Sequence, residues 1–534
     1  MNKVQPGLRF PLVFIISLLI TNSSFAKPLQ GVVQEKVDLS IVEKIREEGL
    51  KRSQIPDNAR YLMDVIGPRL TGSPAMKRAN EWTAGKMREY GLKNVHLEPW
   101  EFGRGWEEVS YFGRMTEPFV KPLSGRCLAW TGSTKGLRMG PAVIVKAESQ
   151  EDLAKYKGKL KGAWILVDEA GEPRDPDFEP EPLRSPLKKL LAPPDTSEQR
   201  PLYTEEDVRQ VIEEIRRHLE LQHKTRTSGV LGILRRSSRT DGIIRGSSVM
   251  GDEVGSLIKA GEPEVLPNIM LADEDYSLIY RNVARGISVA LEFNIQNRFH
   301  EQDLMAYNTI GEIPGTDKRE EVVMLGAHLD SWHMGTGGTD NGAGSIIMLE
   351  AVRILKAIGA QTRRTIRIAL WSGEEPEPWN SEKPMAPGGG KQGSWAYVHD
   401  HEDELDKISI YLNLDNGTGR IRGIWSQMNP HAVPIFEQIL FPFRDLGVVA
   451  VRHGNTGGTD HVSFDQKGVP GFNFIQDWIE YWTKTHHSNV DTYDALLLDD
   501  MKQAAVVVAS TVYHLAIRDE MFPRKTSTVQ ASKY

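Results

Sequence analysis

Hydrophobic positions along the chain fall into three textures. In the first, apolar residues recur at helical spacing: Leu39–Arg52 and Pro56–Val65 read as short helices, and Met76, Ala79, Trp82 and Met87 line one side of a helix over Ala75–Tyr90. The turn residues Gly67-Pro68-Arg69 and Gly72-Ser73-Pro74 separate these pieces, and Asn94–Phe102 reads as a strand. From about Trp130 the apolar runs are short: Gly140–Val145, Gly162–Asp168, Gly229–Leu234 and Ser288–Ile295 predict strands. Among them lie a proline- and charge-rich tract, Glu172–Pro201, which reads as an exposed insertion, and a charged helix, Thr204–Gln222. Thr204 caps that helix, with Asp207 three residues later. From Asn308 strands and helices alternate. Strands are predicted at Glu321–Gly326, Thr365–Trp371, Ile408–Asn413 and Gly471–Ile475, and helices at Ser345–Ile358, Ser394–Asp400, Pro430–Phe441 and Asp500–Ile517. That rhythm predicts an α/β fold with a mostly parallel central sheet and helices on both faces.

The chemistry-bearing residues gather where these strands stop. The run Val322-Val323-Met324-Leu325 ends at Gly326, and His328 and Asp330 follow; a glycine-rich loop, Gly335–Gly344, then carries Asp340-Asn341. Thr365–Trp371 runs into Glu374-Glu375, and Ile408–Asn413 into Asp415. Asp460-His461 and His486-His487, with Asp491, lie further on. In open α/β sheets the carboxyl ends of the strands carry the ligands. Neighbouring carboxylates repel unless a cation or a proton lies between them. Imidazole and carboxylate together suit a zinc-type ion. A lone His-x-Asp reads equally well as a loop histidine and its hydrogen-bond acceptor. Two zinc ions sharing one carboxylate each need a histidine and a further carboxylate, and the set supplies these with one glutamate left for proton transfer.

Taken as a series, His328-x-Asp330, Asp340-Asn341, Glu374-Glu375, Asp415 and His487-Ser-Asn-Val-Asp491-Thr492 resemble the co-catalytic di-zinc exopeptidases, the family of aminopeptidase Y, carboxypeptidase Q and glutamate carboxypeptidase. The resemblance runs from about Asn308 to Ile517, with the N-terminal helices and their turns. It implies the zinc-exopeptidase fold and two Zn2+ per chain. Asp340 would bridge the metals, His328 and Asp415 complete one site, and Glu375 and His487 the other. It further implies Glu374 as general base, Asp330 as the carboxylate orienting His328, Asp460 and His461 near the substrate, and a cis Asp340–Asn341 peptide. His486 stays an alternative to His487. The long loop Pro376–Gly390 departs from the family pattern beside the presumed pocket. His333, His399, His401 and His453 read as surface or loop histidines.

The middle block resembles the β-rich protease-associated domain of such enzymes. The domains expected are therefore a signal peptide at 1–26, an N-terminal catalytic part at 27–126, the insertion at 127–295 and the catalytic domain at 296–534. The insertion is expected to supply no metal ligand and to shape one wall of the cleft.

Bulk numbers add limits. The 534 residues exceed one core, and a net charge of -7 offers no basic surface for nucleic acid. Lys3 and Arg9, the apolar run Phe10–Ile20 and Ser24-Phe25-Ala26 read as a signal peptide cleaved after Ala26, hence a secreted or periplasmic protein with no membrane span after cleavage. The lone Cys127 excludes an intrachain disulfide and reads as a small buried hydrophobe. The expected activity is hydrolysis of terminal peptide bonds, most simply as an aminopeptidase, with a peptide substrate and a homodimer left open. The alternatives are a carboxypeptidase Q-like dipeptidase, a zinc aminoacyl cyclase and a non-catalytic receptor-like module.

Overall fold

The computed structural model describes residues 34–146, most of 152–171, 182–193, 228–248, 258–376 and 392–525. The expected leader at 1–26, the helix Thr204–Gln222 and the loop 377–390 lie outside the described residues. No helix among the described residues is long and apolar enough to cross a membrane.

Among the described residues the architecture is mixed α/β with two eight-stranded sheets. The first runs in the order Lys93–Glu101, Met305–Ile313, Arg364–Trp371, Lys318–His328, Ile408–Asn413, Gly471–Gln476, Ile421–Trp425, Ala450–Arg452. Its four middle strands are parallel, and antiparallel neighbours flank them. The sequence explains this arrangement. Val323, Leu325 and Ala327 face a core shared with the helices Ala343–Ala357 and Leu498–Ile517, whereas Val322 and Met324 face a second layer with Trp371, Tyr411 and Phe464. A strand buried on both faces reads as an unbroken apolar run. Leu325→Ala would open a cavity in the larger core at a cost of about 2–5 kcal/mol.

Lys318–His328 pairs with Arg364–Trp371 on one side and with Ile408–Asn413 on the other, and the chain passes from Arg364–Trp371 across it to Ile408–Asn413. The strand order therefore reverses there, and a crevice opens at the carboxyl end of that strand, where His328 lies.

The second sheet draws on Gly105 to His300, so it starts earlier than the boundary expected at Cys127. Its long strand Gly105–Glu117 was not legible, because it is half-exposed over much of its length and its alternation is weak. The chain leaves the first sheet for the second and returns at adjacent positions: Glu101 pairs with Met305. The two sheets also share side chains. Trp332 and Met334, just past the His328 strand, are buried in the second sheet's core with Trp106, Leu128 and Trp130. Cys127 is buried there as well, and burial pushes its thiol pKa well up.

The tract Glu172–Pro201 is described over 182–193. Most of these described residues are exposed, but they are anchored. Arg184 reaches Asp477 at 3.0 Å and Asp500 at 2.6 Å, both buried carboxylates, and Leu190 is buried against Ala450 and Ile475. Arg184 thereby joins Arg420 and Arg422, which also pair with Asp500 and Asp477, and ties this part of the tract to the first sheet.

Candidate metal centre

Three parallel strands deliver the acids and a histidine to one crevice. His328 ends its strand, Glu374 and Glu375 follow Trp371, and Asp415 follows Asn413. Asp340 comes from the glycine loop ahead of the helix Ala343–Ala357, and His487 from the loop before the last helix. Gly337 permits the approach of the Asp340 loop: it sits at φ 61°, and a Cβ there would lie 2.3 Å from that of Ser331.

The geometry divides around Asp340. Its Oδ1 lies 3.4 Å from His328 Nε2, which is also 3.4 Å from Asp415 Oδ1. Its Oδ2 lies 3.4 Å from His487 Nε2, which is 3.0 Å from Glu375 Oε2. The two carboxylate oxygens thus face two different partner sets. Glu374 groups with His328 and Asp415, ligand atoms all within 4.8 Å of one another. His486 Nε2 is farther from Asp340, at 3.8 Å, and its ring stacks on His487 with centroids 3.7 Å apart. His487 itself holds φ at 58°, rare for a residue with a side chain. The Asp340–Asn341 peptide is cis.

The cluster is buried and its charge is one-sided. Burial favours the neutral imidazole of His328, but the surrounding carboxylates, Asp415 and Glu374 first, outweigh it and push its pKa well up. Burial and the nearby Asp340 charge push Glu375 well up too. His328 Nε2, Asp340 Oδ2 and Glu375 Oε1 are buried without a hydrogen-bond partner. Orphaned polar atoms of this kind are costly in a folded interior. Here they point toward one another, and the donor set of imidazole and carboxylate suits a pair of zinc-type cations.

A supporting layer holds this set, and most of it was not evident from sequence. Arg69 is fully buried. Its Nε donates to the Leu329 carbonyl at 2.8 Å, and its Nη atoms to those of Gly67, Thr336 and Gly337 at 2.7–3.0 Å. Burial lowers its pKa to about 10, offset in part by Asp491 and Asp330, so it remains charged. Asp491 accepts from Thr339 N at 2.6 Å, Thr339 Oγ1 at 2.7 Å and Asp340 N at 3.1 Å, which fixes the Asp340 loop. Burial, then the Asp340 charge, raises Asp491 to about 7.

Asp330 was expected to orient His328 through its carboxylate. The closer contact to His328 Nδ1 is the Asp330 carbonyl, at 3.1 Å; the carboxylate is 3.5 Å away. That carboxylate instead accepts from Thr71 Oγ1 at 2.8 Å, Glu374 N at 3.3 Å and Glu375 N at 3.1 Å, and so positions both glutamates. The signal for Thr71 and Arg69 lay only in their turn, far from the site in sequence.

Asp460 and His461 are both fully buried. Burial raises Asp460 to about 7 against the pull of His328. His461 Nε2 is bonded to the Thr456 carbonyl at 2.9 Å, and burial lowers its pKa to about 4. Of the histidines set aside, His399 is exposed and His401 half-buried against Glu98. His333 differs from its reading: it is buried, its Nε2 2.7 Å from the Cys127 carbonyl. Tyr481, not singled out in the sequence, is buried within the field of Asp340, Asp415 and Glu375.

The sequence profile described as Peptidase family M28 matches residues 308–512, the segment that carries all five candidate ligands. This segment belongs to peptidase family M28. This M28 peptidase is 25% identical to carboxypeptidase Q of Mus musculus over 527 residues, which cover 96% of this chain and 98% of the relative. A peptidase M28 precursor from Shewanella amazonensis shares its fold with a TM-score of 0.65 at 24% identity, over 91% of this chain and 98% of that one. BSAP, a zinc aminopeptidase from Bacillus subtilis, does so with a TM-score of 0.55 at 18% identity, over 88% and 97%.

Proposed function

We propose that this M28 peptidase is a di-zinc exopeptidase acting on terminal peptide bonds, with His328 and Asp415 holding one ion, Glu375 and His487 the other, and Asp340 both. The observation that carries this reading is the split of Asp340, whose two oxygens face separate histidine–carboxylate sets. Zinc bound there supplies Lewis acidity to the scissile carbonyl and lowers the pKa of a water toward neutrality. Glu374, beside His328 and Asp415, takes the proton from the attacking water and returns it to the leaving amine. Asp330 keeps Glu374 in place through its backbone N–H, and Arg69 and Asp491 keep the Asp340 loop from relaxing away from its own charge repulsion. His487, closer than His486 to both Glu375 and Asp340, is the ligand of this pair.

Aminopeptidase action is the first form of this reading. A carboxypeptidase Q-like dipeptidase is the second, favoured by the alignment with carboxypeptidase Q over nearly the whole of both chains. A zinc aminoacyl cyclase, usually a one-metal enzyme, and a non-catalytic receptor-like module both fit five intact ligand positions less well. The Cys127–Ile295 block belongs to the same reading as a recognition module that supplies no metal ligand. Secretion through a leader cleaved after Ala26 also belongs to it.

The test is a kinetic screen of aminoacyl-nitroanilides beside unblocked and N-blocked dipeptides, with elemental analysis of the dialysed protein. About two zinc ions per chain and hydrolysis of unblocked substrates are expected. Full activity with one zinc or fewer would overturn the assignment. Turnover of dipeptides without turnover of nitroanilides would select the dipeptidase form.

A further inference from the structure

One face of the crevice carries charge of the opposite sign. The segment 235–245 of the second sheet holds four arginines. Two are matched: Arg235 Nε lies 3.0 Å from Asp168, and Arg236 Nη1 lies 3.1 Å from Asp273. The other two are not. Arg239 donates to the Trp482 carbonyl, and its second Nη has no partner. Arg245 Nη2 lies 3.4 Å from His486 Nδ1, and its Nε is buried and unpartnered. Among the described residues no carboxylate pairs with either. Burial and the neighbouring Arg245 charge lower Arg239 to about 10, with no acid opposing them. Two half-buried guanidiniums side by side without an anion are as unusual as the buried Asp340 and Glu375 oxygens that lack a hydrogen bond.

Their position is fixed against the metal-type cluster. Gly246 N donates to the His487 carbonyl at 3.0 Å, Ile244 N to Asn489 Oδ1 at 2.7 Å, and Asn489 N to the Ile244 carbonyl at 3.0 Å. The arginine segment is thus bonded to the loop that carries His487. Only the His486 ring separates Arg245 from Asp340, since its other nitrogen is 3.8 Å from Asp340 Oδ2. Through that ring the path is on the order of 9 Å, a distance an extended peptide spans in two to three residues. Trp482, 45% exposed, flanks the path with its ring 4.7 Å from that of His486.

We propose that Arg239 and Arg245 form a receptor for a carboxylate of the substrate, two to three residues along the chain from the metal-held bond. The inference rests on the exopeptidase reading and deepens it: the preferred substrate is a short peptide with an anionic group two to three residues from the scissile bond. A planar guanidinium pair suits the two oxygens of a carboxylate. That carboxylate belongs either to the C-terminus of the peptide or to an acidic side chain.

The experiment compares kcat/KM of the zinc-loaded enzyme for Leu-Leu-Leu, Leu-Leu-Leu-amide and Leu-Leu-Glu-amide, whose carboxylates lie two residues beyond the first peptide bond. Loss of a charged hydrogen-bonded contact typically costs about 10- to 100-fold in affinity. The wild type should therefore prefer Leu-Leu-Leu to its amide by about that factor if the receptor takes a terminal carboxylate, and Leu-Leu-Glu-amide to Leu-Leu-Leu-amide if it takes an acidic side chain. In Arg239→Gln/Arg245→Gln the preference should fall to near one, and in Arg245→Lys to an intermediate value. The preference is a ratio within each protein, so partial loss of folded enzyme cancels. A wild-type ratio near one for both pairs overturns the proposal, whatever the variants do. If none of the three peptides is cleaved, the exopeptidase reading fails. The receptor is then judged by whether N-acetyl-leucine raises the melting temperature of the wild type more than N-acetyl-leucinamide does; equal shifts overturn it.

Discussion

Two groups of buried charge lie along one stretch of chain, and they are solved in opposite ways. Within the helix Ala343–Ala357, Arg353 is clamped by acids. Its Nε and Nη2 bond Glu350 at 2.7 and 2.9 Å, and its Nη1 bonds Glu48 at 2.7 Å. Just ahead of that helix, no lysine or arginine among the described residues pairs with Asp340 or Glu375, and Asp340 Oδ2, Glu375 Oε1 and His328 Nε2 have no hydrogen bond. The first group is complete within the protein and holds the fold. The second is incomplete, which is what a site awaiting cations looks like. Burial alone separates neither from the other; the accounting of partners does.

The strongest way to break this contrast is to remove the shared carboxylate. Asp340→Ala should lose both zinc ions by elemental analysis and bring peptide hydrolysis to background. In chelator, the same variant should be at least as stable to heat as the metal-free wild type, because a source of repulsion is gone. Retained zinc at wild-type stoichiometry would refute the bridge. Next in size, Glu374→Gln should keep the metals and lower kcat by about 10²–10⁴-fold, as expected for a lost general base. Near-normal turnover would move the proton transfer to another group. Third, Arg353→Met should destabilise the protein by about 3–5 kcal/mol in denaturant titration, because it strands Glu350 in the interior. Its zinc content, measured on folded protein, should not change. An effect below about 1 kcal/mol would mean that the paired group is not structural.

The smallest effect concerns a half-buried pairing on the first sheet's outer strand. Burial opposes the charge of Glu98, but His401 at 3.1 Å and His96 at 3.6 Å reverse this and lower it to about 2, while both histidines are raised. The Glu98 contribution is present above its unfolded value near about 4.3 and fades as the pH falls toward 2. The histidine contribution is present below about 6.5 and fades as the pH rises through their raised values. Stabilisation by this trio is therefore fullest at about pH 4.5–6.5. Glu98→Gln should lower the melting temperature most in that window and less at pH 8; an equal loss at all pH values would exclude the pairing.

The sequence was legible where burial is simple. The parallel strands show as apolar runs because both faces are covered, and their strand-end acids and histidines stand out against them. Met305–Ile313 was hidden because polar residues at its centre are buried and bonded: Asn308 donates to the Gly393 carbonyl, and Thr309 receives a bond from Asn80. The ligand positions could be nominated from spacing and family resemblance. Arg69, Thr71 and Asp491 could not be given their roles, because their partners are backbone groups and loops distant in sequence. Arg239 and Arg245 were not singled out in the sequence, because what distinguishes them is the lack of partners in the fold.

The pairing of Glu101 with Met305 has a bearing on how the chain finds this fold. In covalent terms the second sheet is a detour from a hairpin, and a two-residue turn would close the first sheet without it. Joining those strands across an unstructured detour costs closure entropy. A second sheet that has already formed brings its own ends together and removes most of that cost. Its core, however, is finished only when Trp332 and Met334 arrive from the segment between His328 and Asp340. Neither sheet can therefore mature alone. Pulse-labelled hydrogen exchange should show the amides of both sheets gaining full protection in one late, shared step, with the metal loop as the joint between them.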